Sequence, residues 1–309
     1  MSAQPRRDDS PDPALRRVRR IVLADFRSYA ALDLSLDAPM AALTGDNGAG
    51  KTNLVEALSL FAQGRGLRRA DLGEMARQGG RGGFAVSIEL ETADGLTQLG
   101  TGLEPADDTA PATRRCRIDR AAVASPRAFS DHVRLVWLTP AMDGLFAGSA
   151  GDRRRFLDRL VLSVDADHGA RVSALERALR NRNRLLEEAR PDALWLDAAE
   201  HEVAELGVAV AAARAETVSR LAALIAAGRD DASPFPFAEV ELVGDVETLV
   251  VESPALTAEE TFRRWLRDSR ARDAAAGRAL IGPQTADLRV RHGPKQVAAA
   301  LSSTGEQKA

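Results

Sequence analysis

Cysteine occurs once in the 309 residues, as Cys116. One thiol cannot form an intramolecular disulfide, nor build a cysteine metal site alone; a small buried residue in a reducing cytoplasm is the expectation. Aromatic residues are 4% of the chain, with a single tyrosine. That argues against a surface that grips single-stranded nucleic acid by stacking its bases. Long apolar runs are missing too: LGVAVAAA at 206–213 is far short of a membrane span. The opening MSAQPRRDDSPDPALRRVRR lacks the apolar core of a secretory signal. Net charge is only −3, from 42 basic and 45 acidic residues, so the total does not announce a polyanion binder, although it can hide a local patch. The most informative shortage is lysine. Three lysines, Lys51, Lys295 and Lys308, among 42 basic residues leave 39 arginines. Asparagine is also scarce, and two of the four, Asn47 and Asn53, lie close to Lys51.

What is present suits a globular chain: 45% hydrophobic and 28% charged residues, with length enough for two structural units and a substantial core. Residues 1–17 are polar and proline-containing and are expected to be a disordered tail. Strands are expected at 20–26, at 32–36, at 40–44 (MAALT), at 84–91, at 96–104, at 113–119 and at 133–140 (VRLVWLTP). A helix is expected from Lys51 to about Ala62. From Gly151 the pattern turns helical, with Asp152 as an expected N-cap. After Pro191 apolar residues recur every three or four positions, through Trp195, Ala199, Val203, Leu206, Val210, Ala213, Leu221 and Leu224, up to Gly228. That period describes an amphipathic helix of coiled-coil-like length. Leu175, Leu179 and Leu186 mark an earlier helix able to pair with it, as an ordinary helical subdomain or as a projecting arm. Strand signals return after 235. The expected organisation is a tail (1–17), a first lobe (18–150), a helical insertion (151–233) and a return to the first lobe (234–309).

Gly45-Asp46-Asn47-Gly48-Ala49-Gly50-Lys51-Thr52 fits the phosphate-loop pattern G-x-x-x-x-G-K-[ST]. With this composition a chance match is expected roughly two times in a thousand. Glycines let the backbone aim successive N–H groups at phosphate oxygens, and the following helix N-terminus adds partial positive charge. Lys51 would reach the β- and γ-phosphates and the Thr52 hydroxyl would ligate Mg²⁺. Nucleotide binding, with ATP and Mg²⁺ as cofactors, follows as the expectation. Asn53 and Arg27 are further candidate nucleotide contacts.

Three segments narrow the class. ADFRSYAALDLSL lies upstream of the loop, GDNGAGKTNLVEALSLFAQGRGLRRADL contains it, and LSSTGEQKA resembles an ABC-type signature centred on Ser303, Thr304, Gly305, Glu306 and Gln307. With VWLTPAMDGLFAGSAGDRRRFLDRLVLSVD (136–165) and LIGPQTADL (280–288), these resemble the RecF family of recombination mediators, a branch of the SMC-like ABC ATPases, from about residue 20 onward. The resemblance implies an α/β fold: a P-loop ABC-type ATPase head with mixed sheets and an inserted helical, coiled-coil-like lobe. It implies an ATP-dependent homodimer in which the signature of one subunit caps the nucleotide held by the other. It also implies DNA repair, replication and SOS-response work: binding DNA, single- and double-stranded and at their junctions, and loading recombinase together with RecO and RecR. Asn47, Gly48, Gly50, Lys51 and Thr52 carry over as nucleotide contacts, and Ser303, Gly305 and Gln307 as the trans-acting signature.

Two departures stand beside this. Gln284-Thr285 replaces a His-Arg pair usual in the family. And the residues after Gly305 do not reach the apolar strand closing on Asp-Glu whose carboxylates hold Mg²⁺ and polarise water. Binding without turnover is therefore the expectation for these 309 residues, with a non-hydrolysing ATP-binding fragment or scaffold as the alternative reading. Glu187-Glu188 and Glu259-Glu260 read as solvated surface. Among the basic clusters, Arg65, Arg68 and Arg69 are the DNA candidates, because the resembled family uses that region. Arg153-Arg154-Arg155 and the stripe Arg263, Arg264, Arg267, Arg270 and Arg272 read more readily as charged faces with acidic neighbours.

Overall fold

The computed structural model describes residues 16–92, 95–106, 111–188, 190–230 and 232–308. Most of the expected tail lies outside them. The chain forms two compact units, Met1–Leu135 and Val136–Ala309.

The first unit is built on strands β1 (Arg17–Phe26), β2 (Tyr29–Ser35), β3 (Phe84–Thr92), β4 (Gly95–Glu104), β5 (Thr113–Ile118) and β6 (Ala121–Val123), with helices α1 (Lys51–Ser59) and α2 (Leu72–Met75). The strands make one antiparallel sheet in the order β2-β1-β3-β4-β5-β6. Alternation decides its faces, because successive side chains of a strand point oppositely. Ile21 and Leu23, then Phe84, Val86, Ile88 and Leu90, then Leu99 and Leu103, turn inward with Cys116. They meet Leu54 and Ala57 of α1, together with Phe61. Each such side chain removed from water is worth about 1.5–3 kcal/mol. Edge-to-face ring pairs, Phe26–Phe84 at 5.2 Å and Phe61–Phe129 at 5.3 Å, close this core.

Two expected strands do not form. Residues 41–46 and 133–139 have no regular secondary structure. Met40 is 87% and Leu138 72% exposed. A strand needs a neighbour for its N–H and C=O groups, and among the described residues neither segment is paired with one. Helix α1 is also shorter than expected. Beyond Ser59 the chain tightens into i→i−3 bonds, from Leu60 to Ala57 O, Phe61 to Leu58 O and Ala62 to Ser59 O.

The second unit carries α3 (Ala150–Leu162), α4 (His168–Leu186), α5 (Ala193–Ala227), β7 (Ala238–Val243), α6 (Asp245–Glu252), α7 (Ala255–Asp268), α8 (Arg270–Ala276), β8 (Asp287–His292), β9 (Val297–Ala298) and α9 (Thr304–Lys308). Its sheet is antiparallel, β7-β8-β9. The N-cap of α3 is Ser149, whose Oγ accepts the Asp152 N–H, so the expected cap Asp152 sits one turn inside. Asp192 caps α5, and Gly228 ends it. Helix α5 packs against α4, α6, α7 and β7. Its buried positions run from Leu196 to Val218, so covering elements reach only its middle; Trp195 and Leu224, expected on the buried stripe, are 67% and 70% exposed.

Arginine holds this unit together internally. Arg182, with no exposed surface, donates to Glu200 (3.1 Å), Asp273 (2.8 Å) and the Leu266 carbonyl (2.6 Å). Arg214 forks onto Asp158 at 2.8 and 2.9 Å, and the fully buried His168 ring meets the same carboxylate at 2.8 Å. Burial opposes the charge of Asp158, but those partners outweigh it and hold its pKa below the usual value.

Candidate nucleotide-binding site

The phosphate loop lies between the irregular residues 41–44 and α1. Gly45, Gly48 and Gly50 have φ of 137°, 88° and 97°, a region costly for residues with a Cβ. Gly50 is required twice over. A Cβ there would stand 2.8 Å from the Tyr29 hydroxyl, so the loop rests on the turn between β1 and β2. The Ala49 N–H returns to the Asp46 carbonyl at 3.2 Å, while the first amides of α1 have no acceptor inside the helix. Lys51 Nζ donates to the Gly45 and Asp46 carbonyls at 2.6 and 2.8 Å. Its ammonium therefore sits over the loop, and Thr52 is exposed beside it.

A second layer fixes the helix behind the loop. Glu56 has no exposed surface. Arg27 forks onto it at 3.0 and 2.7 Å and Arg68 adds a bond of 2.9 Å. Arg27 also donates to the Glu74 carbonyl at 2.8 Å and has φ of 52°. Asn53 donates to Ser28 Oγ and accepts from Arg68, each at 2.9 Å. In this arrangement Arg27 and Asn53 position α1, and Arg68 ties the following loop to it. Arg65 pairs with Asp71 at 3.3 Å at the surface. Arg69, φ 56°, has no partner among the described residues. Ser28, Tyr29 and Glu56 were missed by sequence reasoning; the one signal was that Tyr29 is the only tyrosine, two residues after the candidate contact Arg27.

The signature segment lies in the second unit. Ser303 and Glu306 form a capping box: the Ser303 N–H donates to Glu306 Oε2 at 3.0 Å and the Glu306 N–H to Ser303 Oγ at 3.3 Å. Lys295 binds the other carboxylate oxygen, and its hydrogen bond, ahead of the bonds from Ser303, draws the Glu306 pKa down to about 2. Gln307 donates to the Ser302 carbonyl at 2.9 Å. Thr304 and Gly305 are exposed, with nothing within 4 Å of where a Gly305 Cβ would lie.

The triple arginine is spent internally: Arg153 forks onto Asp287 at 2.7 and 2.9 Å, Arg154 reaches the Ala286 carbonyl, and Arg155 pairs with Asp152. In the later stripe Arg267 and Arg270 pair with Asp197, and Arg270 also with Glu200. Among the described residues no group of three or more His, Cys, Asp or Glu side chains could hold a metal, and no helix is long and apolar enough to cross a membrane.

A glycine loop with positive φ, a lysine over it and a helix behind it, on an α/β frame with antiparallel sheets, define a P-loop head of the ABC ATPase type. The family described as AAA domain matches residues 20–100. The chain is 51% identical over 297 residues to the DNA replication and repair protein RecF of Mesorhizobium japonicum, covering 96% of this chain and 78% of that one. It is 50% identical over 290 residues to RecF of Rhizobium etli, covering 94% and 76%. The chain belongs to the RecF family of DNA replication and repair proteins. Among solved structures, the recombination mediator protein RecF-ATPrS in the RecFOR pathway superimposes with a TM-score of 0.80 at 20% identity, over 95% of this chain and 78% of that one. The RecF-ATP structure of the same pathway gives 0.78 at 19%.

Proposed function

We propose that this chain binds ATP on the loop Gly45–Thr52 and acts as an ATP-gated, DNA-binding recombination mediator. The observation that carries the reading is the loop itself: three glycines in left-handed backbone, a helix N-terminus with Thr52 exposed, and Lys51 parked on loop carbonyls that a triphosphate would replace as its partner. Such a cradle answers anionic oxygens with N–H donors and one mobile ammonium. The exposed Thr52 hydroxyl at the start of α1 would be a ligand for Mg²⁺ bound with the nucleotide. Bound there, Mg²⁺ would neutralise charge between the β- and γ-phosphates.

Family membership supports the wider role. In it, ATP joins two heads into a homodimer, with Ser303, Gly305 and Gln307 of one chain meeting nucleotide on the other. The head binds gapped DNA at single-strand/double-strand boundaries, and RecO and RecR act with it in recombinase loading. Helices between residues 151 and 233 serve as an insertion into the head. Arg65, Arg68 and Arg69 are DNA candidates; of these, Arg69 is uncommitted, whereas Arg68 holds Glu56 and Asn53.

Calorimetry with MgATP tests the core of the reading. Wild type should bind and Lys51→Ala should lose binding, with the melting temperature of the free protein unchanged. Equal affinity in both proteins would refute the assignment.

A further inference from the structure

The outer face of the first unit's sheet is unevenly balanced. On the β1 side Arg20 pairs with Asp33 at 2.6 Å and Glu89 at 3.5 Å, and Arg19 with Glu91 at 2.6 Å, each across the strands. On β5 the register removes that option. Arg115 lies opposite Gly102, and Arg117 lies between Gly100 and Ala122. Arg115 finds Glu104 along the face at 2.8 Å, a pair more than half exposed on both sides, whereas Arg117 and Arg120 have no partner among the described residues. Asp119, between them, turns one oxygen to the Gln98 N–H at 2.7 Å. Arg120 is aimed by a tight turn in which Asp119 and Arg120 have φ of 49° and 70°.

Beside these arginines the sheet lacks large side chains. Ala85 faces Gly102 and Ser87 faces Gly100. The result is a cavity of about 380 Å³ over a floor of small residues, walled by Arg115, Arg117 and Arg120 together with Gln98 and Glu104. At Gly102 the floor is obligatory, since a Cβ would stand 2.3 Å from the Phe84 carbonyl. At Gly100 it is not: a Cβ would meet only ordinary contacts, 3.9 Å from Arg117 Cβ and 4.0 Å from the Val86 carbonyl. Backbone groups of the floor are consumed by strand pairing, so the arginines are the donors on offer, and they suit a ligand that is anionic and extended.

We propose that the outer face of β4 and β5 docks the phosphodiester backbone of DNA, with Arg117 and Arg120 as its phosphate contacts. This rests on the DNA-binding reading above and adds a surface to it. Among the described residues no exposed aromatic side chain lines this face, so the contact is independent of sequence and sensitive to salt.

The test is anisotropy of a labelled gapped duplex, with MgATP, from about 50 to 200 mM salt. It compares wild type, the Arg117→Ala/Arg120→Ala double variant and Gly100→Asp, which puts the missing carboxylate opposite Arg117. Both variants should raise the dissociation constant, the double variant by about tenfold, and the double variant should lower the salt slope by about two. ATP affinity should be untouched. Wild type that binds DNA, with variants matching it in affinity and slope, would overturn the surface and leave the DNA reading standing. Wild type without DNA affinity would overturn both. Polyglutamate binding that the variants lose, while DNA binding persists, would assign the face to an acidic peptide and equally overturn the proposal. If the double variant does not fold, Gly100→Asp alone decides.

Discussion

Glu56 is the side chain on which the geometry behind the phosphate loop depends, and replacing it by alanine is a sharp perturbation. Its carboxylate has no exposure and accepts from Arg27 twice and from Arg68 once. Removing one partner of a fully buried ion pair costs about 3–5 kcal/mol, because the surviving charge is left dry and unpaired. Here the survivors are not fully dry: the Arg27 side chain is 19% and that of Arg68 42% exposed. Water can reach both guanidinium groups once the carboxylate is gone, which brings the loss to about 2 kcal/mol. For a unit of this size that is a fall in melting temperature of roughly 6–8 °C. The transition to watch in differential scanning fluorimetry is the one that MgATP raises, since it reports the first unit. Because Arg68 also holds Asn53, and Asn53 holds Ser28 beside Gly50, ATP affinity should fall as well. Glu56→Gln, which keeps one acceptor oxygen, should lose about half as much. A Glu56→Ala protein with wild-type melting and wild-type ATP affinity would show that the cluster positions nothing.

Gly50→Ala should be more damaging to binding than to folding. It places a Cβ at φ 97° and 2.8 Å from the Tyr29 hydroxyl, at a backbone cost of about 1–2 kcal/mol. Calorimetry should find ATP binding lost, and adding Tyr29→Phe should restore only part of it; full recovery would mean the left-handed backbone does not matter. At the signature, Glu306 should titrate near 2 in a carboxyl-resolved NMR experiment. A carboxyl lowered from 4.5 in the folded state contributes stability that is fully present above pH 4.5 and is lost as pH falls through about 2. Lys295→Met should move that midpoint up toward 4.5, and an unmoved midpoint would rule out Lys295 as its cause.

The strands that alternate cleanly, from Arg17–Phe26 through Thr113–Ile118, were legible because a two-residue period is a local property and the apolar half of each had one face to bury. The phosphate loop was legible for the same kind of reason. Its glycines answer a backbone requirement within eight residues, and the scarcity of lysine made Lys51 stand out. MAALT and VRLVWLTP misled: their composition suits a strand, but strand formation also needs a partner edge, and composition does not supply one. Asp152 looked like a cap because it precedes an apolar pattern, whereas Ser149 starts the helix and uses Asp152 as its first-turn acceptor.

Charge was where the sequence said least. Arg27, Arg68, Arg117, Arg153 and Arg182 are alike in a list of residues, yet one grips a buried carboxylate near the loop, one bridges a helix and a turn, one stands opposite a glycine, and two are structural. Their partners lie 29, 12, 134 and 91 residues away in the paired cases. The amino-acid order by itself determined the phosphate cradle, the strand faces, the long helix and the family, because each depends on neighbours in the chain. Only the tertiary structure decided which arginines are consumed and which are left facing water. An ion pair is settled by strand register and by which elements meet, and those follow from how the whole unit buries its apolar faces.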